Sequence, residues 1–589
     1  MRVARVVPDL PTYAVDEGFR YATDRVLHVG SIVRVPLGRR VIRGWVVAEE
    51  QGDPSGLKPI KALSSEVPIF TSDLLQTLRW AANHYIAPLA ALLRRAGPPN
   101  LPDQPKAEDF PPLGRSSLRG LPTPVIAAVA GRRARAVYSL AGRNEATDAV
   151  LGIGHVLGVG GSAMVILPTG AEAAVYAVNL REALGDRVIE VPPDASNSEV
   201  TAAWGRACGN AGHVVVGTHR IAFWPIKHLR LAVLVEEGRR AMRDRQTPTV
   251  HAREVIRRRA SVERFNVWYL GSVPSTAVLA TGVEVQRPAT RGWPPVEIVD
   301  RTQDPPGSGL IAERVRSSIS GALRRGVRVF VFSHRKGYAP AVRCVQCKTL
   351  RRCPSCGSRP EPGDTCSRCG ATLGPCSACD GRRFEPLGAG VGRISEVLSR
   401  THGNGKVGPV GSEAPIWVGT ERDIPAIGGA GLGVVVDADG LILGSSYNAA
   451  EEALRILARL AVGIPFGNGR HLIVQTGQPE HPVIGALRSG DPLPFLEGEL
   501  TIRKEFGLPP AGEVIVVEVT GGTRDATTTL RQAVEAEATL LGPAERAGKL
   551  RWLIQGRDLS NARSLLRSAV QTLRDGGAAV RLDVDPLDL

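Results

Sequence analysis

The chain has 589 residues, 43% of them hydrophobic, with 73 Lys plus Arg against 58 Asp plus Glu and a formal net charge of +15. That apolar content excludes wholesale disorder, and no run reaches the roughly 18 apolar residues that a membrane span needs. At about 150 residues per domain the length suggests about four domains, each able to bury a core. Arg2, Arg5 and Asp9 stand where a signal peptide would carry its apolar stretch, so the expectation is a cytoplasmic protein. Only nine of the basic residues are lysines, leaving 64 arginines. That bias is what GC-rich coding writes. The charge excess is equally what phosphate neutralisation with counterion release requires, and charge alone does not choose between the two.

Residues 1–95 open with alternating segments such as Ser31-Ile-Val-Arg-Val-Pro36 and Gly44-Trp-Val-Val-Ala48, which predict strands. A helix-period stretch follows, with Leu74, Leu75, Leu78, Trp80, Ala81, Tyr85, Leu89 and Leu92 on its expected buried side. From Gly97 to Pro124 the chain is Pro-rich and reads as a linker. Between about 125 and 300, apolar runs such as Ala163-Met-Val-Ile-Leu167, His213-Val-Val-Val216 and Leu231-Ala-Val-Leu-Val235 alternate with helical patterns. Runs of this kind are strands buried on both faces, so a parallel α/β sheet is predicted. The pattern resumes at Val327–Phe332 and again at Ile416–Val418, Gly433–Val436 and Leu472–Gln475.

Between those runs lie eight of the nine cysteines, in four CxxC pairs: Cys344/Cys347, Cys353/Cys356, Cys366/Cys369 and Cys376/Cys379. Zinc takes four thiolates in a tetrahedron, and each CxxC supplies two from one tight turn, so four pairs make two closed structural sites. Spacing alone allows more than one pairing. A disulfide framework suits small secreted domains instead, and sites with no open position do not read as catalytic. A segment this short, rich in Gly, Pro and Arg, has little core of its own. Metal binding must supply its folding energy, on the order of 10 kcal/mol or more per site. Beyond Glu497 a smaller α+β unit is expected: Glu513–Val519 as a strand, a helix near 524–541, Arg551–Ile554, a helix near 560–575, and Ala579–Val584.

Several stretches carry a family resemblance. Phe332-Ser-His-Arg-Lys-Gly-Tyr-Ala-Pro340 and Gly388-Ala-Gly-Val-Gly-Arg-Ile-Ser-Glu396 flank the cysteines. Gly217-Thr-His-Arg220, His251-Ala-Arg253 and Gly271-Ser272 lie in the first α/β region. Ile502-Arg-Lys-Glu-Phe-Gly-Leu-Pro-Pro510 and Leu582-Asp-Val-Asp-Pro586 lie near the C-terminus. In this order they resemble the primosomal protein N′ (PriA) family of bacterial replication-restart proteins, relatives of superfamily 2 helicases. The resemblance implies an α/β fold. Its parts are two RecA-like helicase lobes with a double zinc-binding insertion, a β-rich N-terminal DNA-binding domain and a small α+β C-terminal domain. The implied boundaries are 1–96 for a 3′-end DNA-binding domain, 97–124 for the linker with the family's winged helix absent, and 125–305 for lobe 1. Lobe 2 takes 306–343 and 381–478, the zinc insertion 344–380, and the C-terminal domain 479–589. The family's pairing implies that Cys344, Cys347, Cys376 and Cys379 hold one zinc while Cys353, Cys356, Cys366 and Cys369 hold the other.

The motor positions depart from the family. ATP hydrolysis needs a Gly-rich loop ending in Lys and Ser/Thr, because amides and an ammonium hold the phosphates and the hydroxyl binds Mg²⁺. Leu140-Ala-Gly-Arg-Asn-Glu-Ala146 puts Glu145 and Ala146 there. The family's Asp-Glu-Glu-His reads Val235-Glu236-Glu237-Gly238, which turns Glu236 and Glu237 into a solvated or salt-bridged strand end. Its two phosphate-stabilising arginines are replaced by Gly463 and Phe466. Losing all three parts together removes most of the electrostatic stabilisation that phosphoryl transfer depends on. In the N-terminal domain the family's strand-end acid is replaced by Arg20, whereas Gly38, with Arg39 beside it, and the basic Lys58 remain.

The expected function is replication restart. The protein would bind forked or gapped DNA and recruit single-stranded DNA-binding protein and the replicative helicase or its loader, with two zinc ions and no helicase activity of its own. It would be cytoplasmic and nucleoid-associated. Two alternatives stand beside it: an active ATP-dependent 3′–5′ DNA helicase with unorthodox motifs, and a zinc-dependent protein scaffold that does not bind DNA.

Overall fold

The computed structural model describes residues 2–587 except 103–108, 115–117, 119–120, 132–134, 141–144, 289–292, 306–307, 335–340, 348, 358, 361–362, 367–368, 388–389, 445, 466, 468–469, 522–524, 535–536 and 547. The chain divides into two compact units, Met1–Pro288 with Ile502–Pro586, and Ala289–Thr501 with Leu587–Leu589.

The first unit begins with strands Arg2–Pro8 (β1), Phe19–Thr23 (β2), Ile32–Leu37 (β3), Arg40–Glu50 (β4) and Ala62–Ser65 (β5), in sheet order β2-β1-β4-β3-β5. Their alternating apolar residues point inward, and Ala4, Val6, Tyr21, Val33, Val35 and Val46 form the core. A bridge between Ala22 and Pro59 ties the segment leading into β5 back to β2, closing the sheet towards a barrel. The helix-period stretch is two helices rather than one, Ser72–His84 (α1) and Leu89–Ala96 (α2). Thr71 caps α1 by accepting the Leu74 N–H at 3.1 Å. Pro88, which has no N–H to donate, stands at the break, and Ile86 takes a left-handed φ of 48°. Trp80 was expected in the core; it is half-buried, stacked on His84 with ring centroids 4.9 Å apart.

The Pro-rich segment is pinned where it is described. Just before it, Trp204 Nε1 donates to Ala96 O at 2.8 Å at the end of α2, and within it the Phe110 N–H donates to Ala211 O at 3.0 Å. Asp109 accepts from the Ala211 N–H at 2.8 Å and from Lys227 Nζ at 2.9 Å, while the Arg187 guanidinium lies 5.0 Å from the Phe110 ring centre.

The chain continues with Thr123–Ala130 (α3), Ala136–Leu140 (β6), Glu145–Gly158 (α4), Ser162–Ile166 (β7), Gly170–Leu184 (α5), Val188–Glu190 (β8), Asn197–Gly209 (α6), Val214–Gly217 (β9), Leu229–Val235 (β10), Ala252–Glu263 (α7), Asn266–Gly271 (β11), Thr276–Leu279 (α8) and Glu284–Gln286 (β12). The sheet is parallel, in order β12-β6-β11-β10-β7-β9-β8. Every residue of β7, β9 and β11 is buried, as strands covered by helices on both faces require. Each such Val or Ile contributes about 1.5–3 kcal/mol over its exposed state.

The second unit holds Val296–Asp300 (β13), Glu313–Arg324 (α9), Val329–Phe332 (β14), Ala341–Cys344 (β15), Phe384–Leu387 (β16), Val391–His402 (α10), Val407–Gly408 (β17), Ile416–Gly419 (β18), Leu432–Val435 (β19), Asp439–Ile442 (α11), Ala449–Gly463 (α12), His471–Thr476 (β20), Pro482–Ser489 (α13) and the greater part of Leu493–Glu505 (α14). Its parallel sheet runs β13-β20-β19-β14-β18-β17, and the cysteine segment inserts between β14 and α10 on the β15–β16 hairpin. The strand β13, which the sequence assigns to the first lobe, pairs in parallel with β20. Likewise α13, placed by the sequence beyond residue 478, belongs to this unit.

The C-terminal part of the first unit is a four-stranded antiparallel sheet of Glu513–Thr520 (β21), Thr539–Arg546 (β22), Lys549–Gly556 (β23) and Ala579–Val584 (β24), with helices Ala526–Val534 (α15) and Ser560–Asp575 (α16). The helix expected at 524–541 is shorter than that. From Thr539 the chain pairs with β23, because cross-strand contacts there outweigh local helical period. Among the described residues no helix is long and apolar enough to cross a membrane.

Candidate metal centres and strand-end site

The eight cysteines gather into two sets of four, Cys344, Cys347, Cys376 and Cys379, and Cys353, Cys356, Cys366 and Cys369, with ligand atoms inside each set within 4.8 Å of one another. Sγ–Sγ separations are 3.5 Å for Cys344/Cys379 and for Cys347/Cys376, 3.6 Å for Cys353/Cys369 and 3.7 Å for Cys356/Cys366. The pairing is therefore nested, the second set lying within the sequence span of the first. Local turns aim the thiols. The N–H groups of Gly357, Gly370 and Asp380 donate to the carbonyls of Cys353, Cys366 and Cys376, and these three residues have φ of 66°, 74° and 56°. Four sulfurs in one small cluster fit a thiophilic tetrahedral ion such as zinc and leave no position for a substrate. Arg351 ties the sets together. Its guanidinium donates to Gly363 O at 2.9 Å, Leu373 O at 3.0 Å and Gly374 O at 2.7 Å, and lies 4.0 Å from the Phe384 ring centre.

Among the motor positions, Glu145 and Ala146 begin α4, but their side chains, like all of Phe466, lie outside the described residues. Val235 ends β10 and is buried. Of the solvated or salt-bridged strand end that the sequence suggests, Glu237 takes the salt-bridged form and is buried. Glu236 holds a left-handed φ of 50°, and its Oε1 accepts from Ser272 N–H at 2.8 Å and Ser272 Oγ at 2.6 Å. Glu237 is 0% exposed: Oε1 accepts from Ser275 N–H at 2.8 Å, and Oε2 from Ser275 Oγ at 3.0 Å and Arg253 Nη1 at 2.9 Å. The helix α7 and the loop after β11 supply these donors, so two of the quoted signatures, His251–Arg253 and Gly271–Ser272, converge on this one carboxylate pair. Burial alone would raise Glu254, but the guanidiniums of Arg253 and Arg257 outweigh it and hold that carboxyl down to about 2. Only Glu236 Oε2 is left without a partner, too little for the oxygen set that Mg²⁺ demands. Gly463 closes α12 against Ile427, whose side chain a Cβ would meet at 3.1 Å. The sequence reading missed the arginines earlier in α12. Arg455 is buried between Glu451 and Glu452 at 2.6 Å each, and Arg459 pairs with Glu421 at 2.9 Å. The i, i+3 and i+4 spacing of the first three was the available signal.

The barrel closure brings together the segments that carry the candidate strand-end residues. The Tyr21 hydroxyl donates to Pro36 O at 3.2 Å, and the Ala22 N–H to Lys58 O at 3.0 Å, so the end of β3 and Lys58 both flank the Phe19–Arg20–Tyr21 strand. Gly38 and Arg39 form the two-residue turn after β3, and Gly38 supplies the left-handed φ of 59° that this turn needs. Arg39 and Lys58 are exposed. Arg20 is also exposed, yet it is tied down by a residue the sequence reading did not single out: Glu50 Oε2 lies 3.0 Å from Arg20 Nε, and Glu50 Oε1 accepts from Arg5 Nε at 2.5 Å.

Two family models match the chain. One is described as a 3′ DNA-binding domain, over residues 5–98, and the other as the primosomal protein N C-terminal domain, over residues 504–587. A probable replication restart protein PriA of Mycobacterium tuberculosis (strain CDC 1551 / Oshkosh) is 26% identical over 639 residues, covering 95% of this chain and 96% of that protein. Replication restart protein PriA of Rickettsia conorii is 23% identical, covering 100% and 99%. That of Synechocystis is 25% identical over 501 residues, and there the match spans 74% of this chain and only 60% of the relative. A structure of RecG bound to a three-way DNA junction aligns with 62% of this chain and 43% of its own at 13% identity, with a TM-score of 0.36. Matched at both ends by the family's own domains, and from end to end by bacterial restart proteins, the chain is similar over its whole length to the primosomal protein N′ (PriA) family.

Proposed function

We propose that the protein restarts replication by binding forked or gapped DNA and presenting it to the replicative helicase or its loader, together with single-stranded DNA-binding protein, without a working motor. The N-terminal barrel takes the strand end, with Arg20, Gly38, Arg39 and Lys58 as its contact residues. The cysteine sets hold two zinc ions, which fold the insertion. The protein acts in the cytoplasm at the nucleoid. The observation that carries the loss of the motor is the sealing of Glu237 by Ser275 and Arg253 beside a buried Val235. A carboxylate held as an internal strut, with Glu145 where phosphate needs an ammonium, does not fit Mg·ATP.

The test measures fork binding and DNA-stimulated ATPase side by side on the zinc-loaded chain. The expectation is binding whose log K falls linearly with log salt, stronger for forks than for blunt duplex, and no turnover above background. ATP turnover would reinstate the helicase alternative; zinc-loaded protein that binds no DNA would leave the scaffold.

A further inference from the structure

We infer that the barrel reads a strand terminus as a phosphate rather than as a hydroxyl, and that Arg20 sets this preference; the inference rests on the DNA-binding reading above. A terminal hydroxyl is distinguished by its O–H, which needs a carboxylate or carbonyl acceptor. A terminal phosphate carries close to two charges and three acceptor oxygens, and needs donors. The closure offers donors. Arg20 is 42% exposed, and its Nε pairs with Glu50 while its two Nη groups have no partner among the described residues. One of them lies over Gly52, 2.7 Å from where a Cβ would stand, so the missing side chain there leaves the guanidinium edge open. Arg39 and Lys58 are exposed, and neither side chain has a partner among the described residues.

The two carboxylates beside the closure, by contrast, are turned to partners of their own. Glu50, the carboxylate that reaches Arg20, is shared between Arg20 and Arg5. Asp53, in the loop beside Gly52, turns back on its own chain to accept the Ser55 N–H at 2.8 Å. A terminal phosphate would find charge-assisted donors, whereas a terminal hydroxyl would find carboxylates already engaged. The ligand class is thus a DNA strand ending in a 3′-phosphate.

Anisotropy titrations of the full zinc-loaded protein test this with three oligonucleotides of one sequence, ending in a 3′-hydroxyl, a 3′-phosphate, or a 3′-hydroxyl with the phosphate moved to the 5′ end. The last two carry equal charge, so general electrostatics cancels. The expected result is about tenfold tighter binding of the 3′-phosphate strand than of either other strand. Arg20→Gln abolishes this difference with the zinc content unchanged, and Glu50→Gln, which frees the guanidinium, enlarges it. Equal affinity for the two phosphorylated strands, or a preference for the hydroxyl, overturns the inference and leaves the DNA-binding reading standing. Binding of none of the three overturns the inference, and the fork titration above then decides the DNA-binding reading.

Discussion

At the scale of single residues, the decisive groups are charges and rings that burial has turned to structural use. Glu237 is fully buried with donors on both oxygens, so Glu237→Ala leaves Ser275 and one Nη of Arg253 without an acceptor, although Arg253 keeps Glu254, and should cost about 1–3 kcal/mol in denaturant unfolding. A solvated strand end would cost near zero. His213, at the foot of β9, is 0% exposed with neither ring nitrogen partnered among the described residues. Burial, aided by the nearby Arg206 charge, pushes its pKa down from 6.5 to about 4. The folded state therefore holds this ring neutral while the unfolded chain protonates it near 6.5. Stability from this residue is intact above that pH and is lost as pH falls towards about 4, by up to about 3 kcal/mol. Urea midpoints across this range should fall for the native chain, and His213→Phe should flatten that slope. Glu236 and Glu237 were visible in the sequence as the two glutamates kept beside a lost Asp at Val235. Their burial was not, because it depends on donors that the fold brings from residues 253, 272 and 275.

At the scale of elements, what sequence pattern could show was local. The apolar runs that became β7, β9, β10 and β14 announced themselves, since a strand covered on both faces needs no polar alternation. The Ser560–Asp575 helix lies within a residue of its expected span, because its apolar period is local to it. Where a partner strand or a proline break decides, local period misleads: the start of β22, up to residue 541, was read as helix, and α1 and α2 as one helix-period stretch. The four CxxC pairs were legible as ligands, but their nesting had to come from the family, because spacing does not fix which pairs meet. Cys353→Ser should lower metal content from two equivalents to one, read by a chromogenic chelator. Arg351→Ala should leave two equivalents bound, since Arg351 is no ligand, yet destabilise the module by roughly 1–3 kcal/mol through three lost carbonyl contacts and the Phe384 face. Metal release on heating should then begin at lower temperature.

At the scale of the whole molecule, the C-terminal sheet is fastened to the first parallel lobe by the chain's last strand. Arg243, 9% exposed, donates to Asp583, to Val584 O at 2.6 Å, and to Thr249 Oγ1 at 2.9 Å and Thr249 O at 3.1 Å. Thr247 Oγ1 adds a bond to Leu582 O at 3.0 Å. This gives the closing Leu582-Asp-Val-Asp-Pro586 motif a physical role that the sequence could only flag as familiar. Arg243→Met should weaken the fastening by roughly 2–3 kcal/mol. Hydrogen exchange should show it as faster exchange in Ala579–Val584 while β7 and β9 stay protected.

In the segment between the barrel and the first lobe, the described Asp109 and Phe110 are held by Ala211, Lys227 and Arg187 and splint that stretch to the lobe. With the strand end taken up at the barrel as proposed, its spacing from the parallel sheet becomes a fixed ruler length. A captured terminus would be measured off against the rest of the fork by a gauge of constant span, and a dye pair across the splint should give the same transfer efficiency with and without DNA.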